Sequence, residues 1–175
     1  MSPREVYQSR EAEFSALTER LRKLSDRLSM ARLGAFGGGV ILFAILLSAS
    51  LVTAVVTLSV ALILFTWLVI KYESTEKRRK RYLHLAEINR LEIKCLEGDF
   101  SGFKTGEEYA ERDHPYSYDL DIFGKASLFQ YICRTTSRPA SDLLAEYLKQ
   151  PAVREVILQR QGAVAELQQM TDWRQ

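Results

Sequence analysis

The most constraining feature of this sequence is an uncharged segment of 38 residues, Leu33 to Ile70. About 18 consecutive apolar residues already suffice for a membrane-spanning helix. One straight helix of this length would extend roughly 57 Å, nearly twice the thickness of the hydrocarbon core of a bilayer. The segment therefore predicts two spans, at about residues 33–48 and 52–70, with a tight reversal between them. The reversal is expected at the small residues Ser48, Ala49 and Ser50.

Basic residues flank the apolar segment on both sides. They are Arg20, Arg22, Lys23, Arg27 and Arg32 before it, and Lys71, Lys77, Arg78, Arg79, Lys80 and Arg81 after it. Because basic residues beside membrane spans stay on the cytoplasmic side, both termini are expected in the cytoplasm, which requires an even number of crossings. Length and charge thus agree on a multi-pass hairpin in the inner membrane. A cleaved signal peptide is disfavoured, since a long polar region precedes the segment and a second apolar span follows at once.

Residues 1–32 are predicted to form an amphipathic cytoplasmic helix. Ser2 can cap it, Pro3 suits its first turn, and Glu5 completes a capping box. Its apolar side chains recur at steps of three and four from Phe14 onward, as in a coiled coil. The predicted seam is Tyr7, Phe14, Leu17, Leu21, Leu24, Leu28 and Ala31.

Residues 71–96 are predicted to form a basic juxtamembrane helix with a similar apolar face. That face consists of Tyr82, Leu85, Ile88, Leu91 or Glu92, and Cys95. If the two spans are antiparallel neighbours, their extensions leave the bilayer side by side and can pair as a coiled coil. The alternative is a homodimer in which the first helix pairs with its own copy. The sequence favours the intramolecular pair and leaves the dimer open.

Four residues inside or beside the spans suggest how the hairpin packs and where it meets the bilayer surface. Gly34 and Gly38 form a G-x-x-x-G pair, which lets membrane helices approach closely. We expect them to pack against small residues of the second span, and the same motif could instead serve a dimer. Trp67 and Tyr72 lie where interfacial aromatic anchors belong.

The basic run from Lys77 to Arg81 could contact either nucleic acid or lipid. It contains no interleaved aromatic residue and directly follows a membrane span, which favours topology determination and contact with anionic headgroups. The formal net charge of the whole chain is only +2, so no global field attracts DNA. We therefore predict the lipid bilayer as partner and leave DNA open.

The remaining composition offers no catalytic, cofactor-binding or metal-binding residue that we would predict. Cys95 and Cys133 are the only cysteines, and neither has a second thiol or a histidine at ligand spacing. The nearby acids Asp113, Asp119 and Asp121 are typical of loop solvation and helix capping. The sequence thus contains no constellation typical of an enzyme.

The fold class is predicted to be all-α throughout. Residues 97–118 read as an irregular linker, punctuated by glycines and by Pro115. Residues 119–175 turn helical again, with Ser127 as a possible cap of a first short helix. Pro139 is expected to open a second helix, and Pro151 to end it and begin a third. The apolar faces of these short helices look uncovered.

Several strings in this half of the chain resemble a known family. They are Asp119-Leu120-Asp121-Ile122-Phe123-Gly124-Lys125-Ala126-Ser127-Leu128-Phe129-Gln130, Arg134-Thr135-Thr136, Leu144-Ala145-Glu146-Tyr147-Leu148-Lys149-Gln150-Pro151, and Arg160-Gln161 with Ala163-Val164 and Leu167. Together they resemble the beginning of the helical core of the MutS family of DNA mismatch-repair ATPases. The approach from Leu96-Glu97-Gly98-Asp99-Phe100 through His114-Pro115-Tyr116 resembles the membrane-anchored MutS-related proteins of bacteria. The resemblance covers residues 85–174.

The resemblance implies that this chain is the N-terminal portion of a longer protein, cut inside its core, with an ATP-binding region to follow. ATP and magnesium would then be cofactors of the full-length protein. The phosphate loop itself is absent here, since Gly124-Lys125 has Asp119 where the first glycine is needed. None of the phenylalanines has a glutamate two positions later, so the Phe-x-Glu wedge of the family's mismatch reader is also lacking.

We therefore expect a non-catalytic membrane anchor and helical connector for a MutS-like ATPase. The alternative is a stand-alone two-span membrane adaptor that binds a protein partner through its C-terminal helices.

Overall fold

The computed structural model describes residues 2–48 and 50–174, apart from the side chain of Arg174. The helices within this part are α1 (Pro3–Leu47), α2 (Leu51–Leu96), α3 (Leu128–Ile132), α4 (Arg138–Lys149), α5 (Arg154–Leu167) and α6 (Thr171–Arg174). A 3-10 turn, Glu107–Tyr109, lies between α2 and α3. The chain divides into a hairpin unit, Met1–Arg90, and a C-terminal unit, Leu91–Gln175.

The two long helices α1 and α2 pack as an antiparallel hairpin, which confirms the predicted hairpin. Each helix runs without interruption from the polar part of the sequence through the apolar part. Nothing in the sequence breaks either helix, because no proline occurs between Pro3 and Pro115. The reversal contains Ser48 and Ser50 as predicted, whereas Ala49 lies outside the described residues.

The face of α2 that packs on α1 repeats every seven residues over its whole length in the hairpin unit. The buried or half-buried residues of this repeat are Ala54, Ala61, Leu68, Thr75, Tyr82 and Asn89. A strict seven-residue repeat keeps the same face of a helix against its partner and is typical of a coiled coil. One seam therefore continues from the apolar segment into the polar part of the helix.

The seam of α1 follows the prediction at five positions and departs from it at Leu24 and Ala31, both of which are exposed. The half-buried residues of the predicted seam are Tyr7, Phe14, Leu17, Leu21 and Leu28. Leu24 is 43% exposed, and the adjacent Ser25 is only 5% exposed. The buried position thus falls four residues after Leu21, rather than three. The reason is polar, since the Ser25 hydroxyl donates a 3.1 Å hydrogen bond to Glu76 of α2. Apolar periodicity alone could not reveal that preference.

The C-terminal unit is built around Phe129, Cys133 and Ala145, all buried. Tyr109, Phe123 and Phe129 form an aromatic triangle, with ring centroids 5.5–6.0 Å apart. Gly106 makes this packing possible, because its φ of 68° is left-handed and an added Cβ would lie 2.5 Å from the Phe129 ring. Glycine is the residue that meets both demands.

The short helices begin largely where the turn residues predict. Ser127 caps α3 and Ser137 caps α4, each by accepting a hydrogen bond from a backbone N–H. Pro139 lies in the first turn of α4, as predicted. Pro151 follows the end of α4 but does not begin the next helix, because α5 starts only at Arg154.

Candidate membrane interface

The central parts of α1 and α2 expose a broad apolar surface. In their most apolar 18-residue windows, only 6% of α1 and 11% of α2 is buried inside the structure. A core helix of a water-soluble domain would be mostly buried, so these are not core helices. Both helices are long and apolar enough to cross a membrane, as predicted for a two-span protein.

The hydroxyl groups on this surface are satisfied within their own helices. Each donates a hydrogen bond of 2.8–2.9 Å to a carbonyl three or four residues earlier. The residues are Ser48, Thr53, Thr57, Ser59 and Thr66. Where no water is present an unpaired polar group is costly, and back-bonding to the helix removes that cost.

Close packing of the two helices depends on a different glycine from the predicted pair. A Cβ added to Gly39 would lie 2.5 Å from the Cβ of Ala61, so this glycine admits α2 at short range. A Cβ added to Gly34 or Gly38 would meet nothing within 4 Å. Gly34 and Gly38 therefore do not provide the close approach to α2 inside the hairpin, and their role in other helix packing, as in a dimer, stays a prediction.

Aromatic and basic side chains mark the end of the apolar segment. Phe36 and Phe65 pack with ring centroids 5.7 Å apart, and Arg32 lies over the Tyr72 ring at 5.0 Å. Trp67 is 57% exposed on the outer side of α2. Arg32 and Tyr72 thus meet across the hairpin as a cation–π pair, while Trp67 points away from it.

The basic run after α2 leaves the apolar segment divides into one internal and several external side chains. The Arg79 guanidinium donates to both carboxylate oxygens of Glu76, which also accepts from Ser25. This hydrogen bond from Arg79, assisted by that from Ser25, holds the pKa of Glu76 below its usual value of 4.5. The exposed members of the predicted basic set on α2 are Lys71, Lys77, Arg78, Lys80 and Arg81.

Within the C-terminal unit, Arg134 connects the last turns of α2 to the residues after it. Its guanidinium binds the Glu92 carboxylate with two hydrogen bonds, of 2.5 and 3.1 Å, and donates to the Cys95 sulfur at 3.3 Å. It also lies 3.6 Å from the centroid of the Phe103 ring. One side chain therefore joins α2, the irregular segment and the end of α3.

Gln130 of α3 performs a similar role between α3 and the irregular segment before it. Its amide oxygen accepts from the Ala126 N–H at 2.9 Å, and its amide nitrogen donates to the Phe103 and Ser101 carbonyls at 2.9 and 3.4 Å. Ala126 has a φ of 58°, which is uncommon for a residue with a Cβ. The buried glutamine holds the backbone in that conformation.

The segment His114-Pro115-Tyr116 satisfies the C-terminal end of α4. The His114 imidazole accepts from the Ser117 N–H through Nδ1 and donates from Nε2 to the Lys149 carbonyl, at 3.2 and 3.1 Å. The Tyr116 hydroxyl lies within hydrogen-bond distance of the Leu148 and Lys149 carbonyls. Sequence reasoning missed this role, because more than 30 residues separate the partners and no spacing links them.

No protein-family model, curated protein or solved structure matches this chain.

Proposed function

We propose that this chain is a two-span membrane anchor and helical connector of a MutS-like ATPase. Both termini would lie on the cytoplasmic side of the inner membrane. The chain itself would be non-catalytic, and ATP hydrolysis would belong to a region following Gln175. Whether DNA binds that region stays open.

The observation that carries this proposal is the continuity of α2. The helix begins at Leu51 in the apolar segment and ends at Leu96, with no break where the basic residues begin. Its last turns are held by Arg134 through Glu92 and Cys95. One continuous helix of this kind supports the role of a connector, because a helix can transmit a displacement along its axis.

Cysteine accessibility tests the anchor. Single cysteines would replace the exposed residues Ser9, Ser50 and Ser101 in a Cys95→Ser/Cys133→Ala background. In intact cells, a membrane-impermeant maleimide is expected to label only the cysteine at position 50. The cysteines at 9 and 101 should react after permeabilisation. Labelling of either in intact cells, or release of the protein by carbonate, would contradict a hairpin with both termini inside.

The ATPase assignment needs a separate test, since it rests on the resemblance. The coding sequence beyond Gln175 is expected to encode a Gly-x-x-x-x-Gly-Lys-Ser/Thr loop, and the purified full-length protein to hydrolyse ATP with magnesium. A lysine-to-alanine change in that loop supplies the matched inactive control. Absence of the loop, or of turnover above that control, would count against the assignment.

The second candidate is a membrane adaptor that binds a protein through its C-terminal helices. It is favoured by α5, none of whose described residues is buried. A groove of about 420 Å³ runs along this helix beside Ile157 and Val164. The two candidates diverge in one observation, because an adaptor requires no phosphate loop after Gln175.

A further inference from the structure

We propose that one face of α2, where the helix leaves the apolar segment, binds the headgroup of an anionic phospholipid. This face, here called the α2 stripe, consists of Trp67, Lys71, Ser74, Arg78 and Arg81. The proposal rests on the membrane anchor proposed above, since it names the lipid class that the anchor selects.

Helical spacing places the members of the α2 stripe in one line. They follow one another at steps of four, three, four and three residues, which is the spacing of neighbours on a helix surface. All five residues are exposed, and the seam with α1 lies on another side of α2. The stripe is therefore accessible from outside the hairpin.

The apolar end of the stripe offers room for an acyl chain. A groove of about 380 Å³ is lined by Leu62, Ile63, Thr66, Trp67 and Ile70. Its one hydroxyl, that of Thr66, already donates to the Leu62 carbonyl at 2.9 Å. The groove consequently presents an apolar surface directly below the first cation, Lys71.

The cations of the stripe are available to a ligand. In the part of the chain that the structure describes, no ion pair involves Lys71 or Arg78, whereas Arg79 is paired with Glu76. The exposed acid of α2 that lies closest to Lys71 in sequence is Glu73, which is roughly 160° around the helix from Lys71. A guanidinium also matches two phosphate oxygens at once.

The cations of the α2 stripe lie at different distances from the apolar segment, so they should contribute unequally to binding a headgroup. At 1.5 Å per residue, Lys71 lies about 1.5 Å, Ser74 about 6 Å and Arg78 about 12 Å beyond Ile70 along the helix. The headgroup layer is about 5–7 Å thick, so Lys71 and Ser74 lie within it and Arg78 reaches back to it with its long side chain. Arg81, about 16 Å out, should contribute least because the attraction falls off within a Debye length.

Trp67 makes this inference measurable. The chain has two tryptophans, so a Trp173→Phe variant leaves Trp67 as the only indole. This protein would be reconstituted in vesicles of equal parts phosphatidylglycerol and phosphatidylcholine, with brominated chains on one lipid or the other. Quenching of Trp67 fluorescence by the brominated chains reports which lipid lies beside this residue. We expect the anionic lipid to be preferred at Trp67 by at least about fivefold, which corresponds to the binding energy contributed by one cation near the membrane surface.

Variants in the same background separate a site from a diffuse charge effect. Lys71→Gln/Arg78→Gln should bring the preference close to one, and Lys71→Arg/Arg78→Lys should retain it. Arg81→Gln should lower it by less than twofold. The matched control is Lys77→Gln/Lys80→Gln, which removes the same charge from other faces of α2 and should leave the preference unchanged.

Two outcomes would overturn the proposal: no preference for the anionic lipid, or an equal loss of preference in Lys71→Gln/Arg78→Gln and in Lys77→Gln/Lys80→Gln. Failure of the anchor itself would look different. In that case the unmodified protein would not float with vesicles of pure phosphatidylcholine, whichever cations it carries.

Discussion

The apolar segment of the hairpin and the C-terminal unit use hydrogen bonds over very different sequence distances. In the apolar segment, hydroxyl groups such as those of Thr57 and Thr66 donate to carbonyls four residues earlier, and the long-range bond from Ser25 to Glu76 belongs to the polar part of the hairpin. In the C-terminal unit, Gln130 bonds to backbone groups up to 29 residues away, and Arg134 to Glu92 across 42. A structure satisfied locally is suited to a medium without water, whereas one held by distant polar contacts depends on each contact.

This contrast predicts that single polar side chains matter most in the C-terminal unit. The largest effect is expected for Gln130→Glu, because the new carboxylate oxygen would face the Ser101 and Phe103 carbonyls. The buried carboxylate would keep only the Ala126 N–H as a donor, and its second oxygen would meet two acceptors, so the change should destabilise the unit by about 3 kcal/mol or more. Native-state hydrogen exchange over residues 97–150 measures this loss.

The matched control for Gln130→Glu is Gln161→Glu, the same chemical change on exposed α5. It should alter the free energy of opening by less than about 0.5 kcal/mol. Equal effects at both positions would show that the distant contacts of Gln130 do not stabilise the unit.

In the hairpin, stability should depend most on how closely α1 and α2 approach each other. Gly39→Val should clash with Ala61 and cost about 2 kcal/mol through overpacking, whereas Gly38→Val meets no neighbour and should be near neutral. Detergent unfolding in mixed micelles, followed by energy transfer between labels on α1 and α2, gives both values. A compensating Ala61→Gly should restore part of the loss. If Gly38→Val were the more disruptive, the close contact would lie on the other face, as in a dimer.

The sequence predicts the hairpin well because length, charge and capping are local properties. It also predicts the cap Ser127, since serine is a favoured N-cap residue immediately before an apolar helical face. It does not predict that Ser25 replaces Leu24 in the seam, because that choice depends on Glu76, which is 51 residues away. The same limit hides His114 and Arg134, whose partners are set by the tertiary fold.

The contact of Glu76 with Ser25 and Arg79 in the seam predicts that the stability of the hairpin depends on pH in the acid range. Glu76 has a lowered pKa in the folded state, so its ion pair stabilises the hairpin above pH 4.5 and the contribution is lost as pH falls further. Glu76→Gln should cost about 1 kcal/mol at pH 7. The difference from the unmodified protein should shrink as pH falls below 4.5 and through the lowered pKa of Glu76 in the folded state.

Energy transfer between labels on the polar parts of α1 and α2, recorded from pH 7 to 3, measures this dependence. Glu73→Gln, on the exposed side of α2, is the control and should leave the profile unaltered. A difference between Glu76→Gln and the unmodified protein that does not shrink as pH falls would mean that the carboxylate charge is not what stabilises the pair.

The smallest effect is expected at the first turn of α1. The Ser2 hydroxyl accepts from the Glu5 N–H at 3.3 Å, and the Glu5 carboxylate accepts from the Ser2 N–H at 2.9 Å. Ser2→Ala removes one half of this capping box, at a cost of about 0.5–1 kcal/mol. Because α1 continues for 45 residues and packs on α2 further along, the loss should remain in the first turns. Hydrogen exchange should therefore accelerate at residues 4–8 and nowhere else.

Ser9→Ala, within the exposed helix, should show no such acceleration, since alanine is the better helix former. A change that spread to the seam would mean that the hairpin depends on its end as the C-terminal unit depends on Gln130.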